Sequence, residues 1–269
     1  MSAATLTRPS AGPTSKFIVT FPRLLRSELI KFLTVRSTLW SLSVAVVLVI
    51  GFGAIMASAS KSQDAFGDGV SVGAMAPIVG VYFAQLVYVV LGVIGIGSEY
   101  STGMIRSTLS AAPTRTPALL AKTVVLGIAS FVVSFVSIVV AFFLVQAILS
   151  STDHAASLGD PHVLRMLVGA ALYLSFMTMF SLSIGAIVRN TAAGISIVVG
   201  LLLILPTFLP IIPWKPLKEI VKYLPGVGDA VMLPPGQSTH TAWVGFAILA
   251  AWTVVGTIVA AVLLKRRDA

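Results

Sequence analysis

Cysteine is absent from the 269-residue chain, and only 10% of its residues are charged. Without thiols there are no disulfides and no thiolate metal sites, so its loops must be held by packing. The histidines, His154, His162 and His240, are too few and too scattered to gather Asp153 and Asp160 into a metal centre. Asp153-His154 beside Ser150 or Ser151 is sequence adjacency, not the geometry of a nucleophilic triad. No Gly-x-x-x-x-Gly-Lys-Ser/Thr phosphate loop occurs, and the polar segments are too short for a nucleotidase. Ionisable residues are nearly missing from the long apolar stretches, which argues against ion-coupled transport. No catalytic residue, metal site or resident cofactor is expected.

What is present is oil. Hydrophobic residues make up 57% of the chain and its mean hydropathy is +1.01, far above globular norms. A span needs about 20 apolar residues to cross a hydrocarbon core of about 30 Å. Six stretches qualify, near 38–58, 76–97, 119–149, 163–188, 191–213 and 242–264. They are predicted as helices, because lipid forces each span to satisfy its own backbone and the dyad alternation of barrel strands is missing. The predicted fold is an all-α, six-span integral membrane domain over 21–269. A disordered cytoplasmic tail rich in Ser, Thr, Ala and Pro precedes it at 1–20.

The net charge of +9 is explained by topology, without nucleic acid. With both termini inside, Arg8, Lys16, Arg23, Arg26, Lys31, Arg36, Arg106, Arg115, Lys122, Arg189, Lys265, Arg266 and Arg267 are cytoplasmic. They face only Glu28, Glu99 and Asp268. The outer loops then hold Lys61, Arg165, Lys215, Lys218 and Lys222 against Asp64, Asp68, Asp153, Asp160, Glu219 and Asp229, and Arg189-Asn190 marks a tight cytoplasmic turn.

Three polar segments stand out. Phe21, Leu24, Leu25, Leu29, Phe32 and Leu33 recur at helical spacing opposite Arg23, Arg26 and Lys31, which predicts an interfacial helix over 21–36. Glu28 falls inside its apolar stripe, where a lone carboxylate is unfavourable. Lys31 is the nearest local cation, and a partner across a subunit contact is the sharper expectation. Next, Ser98-Glu99-Tyr100-Ser101-Thr102-Gly103-Met104-Ile105-Arg106-Ser107-Thr108-Leu109, continued by Pro113, Arg115 and Lys122, interrupts two spans. With Met104, Ile105 and Leu109 on one side it predicts a short helix able to enter a partner's cleft. A bland topological loop would also be polar and basic. Finally, seven prolines between Leu205 and His240 exclude one smooth helix, and a short interfacial helix around 217–224 is predicted, anchored by Trp214 and Tyr223. Gln85 and Gln146 within the spans, and Val221 near the prolines, are candidate pathway or gate residues. Hydrogen bonds between helices are the commoner use of such glutamines.

The chain resembles the membrane subunit of bacterial type-2 ATP-binding-cassette exporters. The resemblance runs through Arg26-Ser27-Glu28-Leu29-Ile30-Lys31, Arg36-Ser37-Thr38, Glu99-Tyr100, Gly103, Arg106, Leu109, Pro113, Arg115, Lys122 and Tyr223-Leu224-Pro225-Gly226. It implies an elbow helix carrying Arg26, Glu28, Lys31 and Arg36. It also implies a coupling helix at about 98–110, where Glu99, Tyr100, Thr102, Gly103, Arg106, Leu109 and Arg115 meet the ATPase, and re-entrant helices between the last two spans. ATP would be bound by two copies of a separate ATPase subunit. A second permease copy or paralogue would complete the path in a bacterial cytoplasmic membrane. An ion-coupled secondary transporter and a non-transporting membrane scaffold or resistance component are the alternatives.

Overall fold

A computed structural model describes residues 20–60, 71–103 and 115–266. Its elements, in order, are α1 (Phe21–Thr34), α2 (Arg36–Ala59), α3 (Val72–Ser101), α4 (Arg115–Leu149), α5 (Val163–Val188), α6 (Thr191–Val199), α7 (Leu205–Phe208), α8 (Lys215–Val221) and α9 (Ala242–Arg266). A π-helical turn at Gly200–Ile204 joins α6 to α7, a 3₁₀ turn at Leu209–Ile211 follows α7, and a 3₁₀ segment at Pro225–Met232 lies between α8 and α9.

Among the described residues six helices are long and apolar enough to cross a membrane: α2, α3, α4, α5, the composite Thr191–Ile211 and α9. The chain is therefore an all-α, multi-pass membrane protein. Apolar side chains that would be misplaced in water, including Trp40, Val47, Ile128, Val255 and Ile258, stand exposed on the outer helices, as lipid contact requires. The centre is the pair α3 and α5, with 56% and 67% of their most apolar windows buried against 17% for Thr191–Ile211. They approach closely because Gly92 of α3 meets the Thr178 carbonyl of α5, where any Cβ would collide.

The fifth span is broken as its prolines require. Pro206 has no N–H to return to the preceding turn and its ring crowds the carbonyl four residues back. The backbone widens into the π turn just before it, then tightens into the 3₁₀ turn containing Pro210. The interfacial helix expected around 217–224 is the shorter α8, flanked by exposed Trp214 and Tyr223.

Two boundaries depart from expectation. The first helix stops at Thr34, because Val35 is extended (φ −77°, ψ 113°), so Arg36 opens α2 and does not belong to the elbow. The second span runs on to Ser101, which places Glu99 and Tyr100 in the last turn of a helix instead of a loop. The tail before Thr20, and Arg106 and Leu109 of the expected coupling segment, lie outside the described residues.

Candidate functional site: an ion quartet at the root of the α3–α4 connection

Six consecutive span-length helices leave the start of α2 and the end of α9 on one face. On that terminal face α1 lies against α4, with Glu28 and Phe32 on its buried side and Leu29, Ile30 and Leu33 exposed. An acid in an apolar stripe is explained by what it meets. Glu28 Oε1 accepts from Lys31 Nζ at 2.8 Å, and Oε2 accepts from Lys122 Nζ of α4 at 2.6 Å. Glu99, at the end of α3, closes the ring: its Oε1 receives Lys31 at 3.1 Å and Lys122 at 2.9 Å.

Two acids and two ammoniums thus alternate, joining three helices through residues widely separated in sequence. The quartet is neutral, which is how charges survive burial. Burial by itself raises the carboxyl of Glu28. The charge and hydrogen bond of Lys122, followed by those of Lys31, outweigh that and hold it below its ordinary value. For Lys31 burial works downward, and the hydrogen bond to Glu28 and the charge of Glu99 lift the ammonium above its ordinary value. Glu99 sits at a helix C-terminus, where the macrodipole disfavours an anion, so the two lysines are the groups that hold it there. Its second oxygen, Oε2, is buried without a hydrogen-bond partner among the described residues. A cavity of about 110 Å³ opens beside the quartet, walled by Phe32, Leu91 and Leu126 and reached by Ser98 and Thr38.

The remaining residues of the α3 end are fixed locally. Tyr100 lies under Arg189, with the guanidinium 5.3 Å from the ring centroid. Arg189 is the left-handed residue (φ 57°) of the tight turn between α5 and α6, and Asn190 caps α6 by accepting from Ala193 N–H at 3.0 Å. Thr102 ends α3 with its hydroxyl on the Ser98 carbonyl at 2.8 Å. Gly103 follows with φ 71°, a conformation that suits glycine at a helix stop. The chain leaves α3 at Gly103 and returns at Arg115 as the first residue of α4.

The expected site residues therefore separate. Glu28, Lys31 and Glu99 come together, with Lys122 as the residue that joins them. Glu99, expected to face a partner, is only 2% exposed and turned inward, whereas Ser101, Thr102 and Gly103 are exposed. Both carboxylate oxygens of Glu28 find partners within its own chain. Arg26 is exposed on α1. Gln85 is buried and accepts from Tyr173 of α5 at 2.8 Å. Gln146 donates to the Gly73 carbonyl at 3.0 Å and accepts from Ala156 N–H at 2.7 Å, clasping α3 to the loop after α4 on the far face. Both glutamines thus hydrogen-bond between separate segments of the chain. Val221 ends α8, partly buried.

One residue was missed. Asp229, counted as an outer-loop acid, lies in the Pro225–Met232 segment and accepts from Tyr82 of the second span at 2.9 Å. No local pattern announces it, since only the fold-back of a Pro- and Gly-rich segment brings it there. Among the described residues no group of three His, Asp or Glu side chains is placed to hold a metal ion.

This architecture defines a class: a polytopic α-helical membrane protein with an ion-locked interfacial helix and a re-entrant segment on the opposite face. No protein-family model matches the chain, and no curated protein does.

Proposed function

We propose that the chain is the permease subunit of a type-2 ATP-binding-cassette exporter in a bacterial cytoplasmic membrane. ATP is bound and hydrolysed on a separate subunit present in two copies, and a second permease copy or paralogue completes the translocation path. The observation that carries this reading is the Glu28–Lys122–Glu99–Lys31 quartet. It ties the interfacial helix α1 to the roots of both arms, α3 and α4, of the connection between Gly103 and Arg115. Force applied to that connection moves three elements together, which is what a transmission point between a soluble motor and a helix bundle needs. The asymmetry of cations supports a cytoplasmic position for the connection.

The test is co-reconstitution with an ATP-binding-cassette ATPase, sought in the neighbouring reading frame. ATP-dependent cargo movement that stops when the ATPase is inactivated supports the reading. Full transport by the chain alone, in nucleotide-free vesicles, overturns it. Asp229 favours a second reading, an ion-coupled transporter, because an acid among spanning helices is the usual mark of such a device. Transport driven by an ion gradient without an ATPase would select it.

A further inference from the structure

The Pro225–Met232 segment is inlaid between α5 and α9. A Cβ built on Gly169 of α5 would sit 2.6 Å from the Val231 carbonyl oxygen, and one on Gly228 would sit 2.7 Å from Leu249 of α9. Gly245 meets the Val227 carbonyl in the same way. Arg165 at the far-face end of α5 donates to the carbonyls of Val231 at 3.0 Å and Leu233 at 2.9 Å. The segment is thus pinned by close packing from Val227 to Val231 and by a guanidinium at its Val231–Leu233 end. Between them Asp229 points to Tyr82, ten residues into α3, or about 15 Å along that helix at 1.5 Å per residue.

The groups around this carboxyl are few. From α3 comes the Tyr82 hydroxyl, and from α5 the Tyr173 hydroxyl, which donates to Gln85. Arg165 is committed to two carbonyls. The Gly200–Ile204 turn has no titratable side chain, and α9 has none before Lys265 at the opposite face. Among the described residues no ion pair involves Asp229. Burial raises its carboxyl above the ordinary value, and the hydrogen bonds from Tyr82 and from the Ala230 backbone offset this only in part.

We propose that Asp229 is a proton-binding residue that fastens the Pro225–Met232 segment into the far-face half of the bundle. With the proton on, the neutral acid stays buried against Tyr82. When the carboxyl gives its proton to water, forming carboxylate and hydronium, the anion has no cation to meet. The segment then lifts toward solvent, exposing the space above Gln85 and Tyr173. This needs only the membrane placement of the chain and is independent of how transport is powered.

The absence of cysteine makes the test direct. Val231→Cys introduces one thiol at a fully buried position, and Thr239→Cys supplies an exposed reference. The purified full chain in liposomes is labelled with a membrane-impermeant maleimide from pH 4 to pH 9, with each rate divided by that of the reference. The expected ratio rises about ten-fold per pH unit below its midpoint and then levels, tracking the fraction of deprotonated Asp229. In the Asp229→Asn background the ratio is low and flat. Equal pH profiles in the two backgrounds, or a flat profile in the parent, overturn the proposal. Should Asp229→Asn not fold, Tyr82→Phe serves: it removes a bond that favours the charged form, so the midpoint moves to higher pH, and an unmoved midpoint overturns the proposal equally.

Discussion

Lys122 Nζ lies 2.6 Å from Glu28 Oε2, although 94 residues separate them in the chain. This contact converts an amphipathic helix that could simply float at the interface into one bolted to the third span. The same ammonium reaches Glu99 at 2.9 Å, so one side chain joins the interfacial helix to both arms of the α3–α4 connection.

Removing that ammonium is the severest single change at the quartet. Lys122→Met leaves two buried carboxylates sharing Lys31, and the expected loss is about 3 kcal/mol of stability, read as thermal unfolding in detergent. Glu28→Gln combined with Lys122→Met should cost less than the sum of the two single changes, because the residues act through each other. Additive losses would mean that they do not.

The quartet also predicts a two-limbed pH dependence. Glu28 is held below its ordinary value of 4.5, so its contribution is present above that pH and is lost as pH falls through the lower folded value. Lys31 is held above its ordinary value of 10.5, so its contribution is present below that pH and is lost as pH rises through the higher folded value. Between the limbs the contribution of the quartet itself should be level with pH. Glu28→Gln should flatten the acid limb relative to the parent, and an unchanged acid limb would remove Glu28 from the account.

Under the proposed function, Glu99→Gln and Arg106→Ala should behave differently when the chain is co-reconstituted with an ATPase. Glu99 is buried in the quartet, so its loss should lower both the unfolding temperature and the transport obtained per ATP hydrolysed. Arg106, on the connecting segment, should affect only the second quantity if it meets the motor. Equal destabilisation by both changes would contradict this division.

Gln146→Ala tests whether that glutamine handles cargo or holds the fold. It leaves a buried carbonyl at Gly73 and a buried N–H at Ala156 without their partners, and the expected loss is about 1–3 kcal/mol in thermal unfolding. Cargo selectivity should not change. A selectivity change with unaltered stability would return Gln146 to the translocation path.

Sequence alone determined the number and type of the spans, because hydropathy over about 20 residues is a local property and lipid admits few backbone solutions. It also determined the break in the fifth span, through the chemistry of Pro206 and Pro210, but not the end of the second span, expected at 97 and carried on to Ser101 in the structure. It marked Glu28 as an anomaly without naming its chief partner, since periodicity on one helix cannot show which other helix packs there. Tertiary structure alone decided that Lys122 joins Glu28 to Glu99, that Gln85 and Gln146 tie helices together, and that Asp229 leaves the outer loop for Tyr82. Each of these depends on packing between segments far apart in the chain. Burial strengthens such contacts, because a charge or hydrogen-bonding group withdrawn from water depends on the partners the fold brings to it.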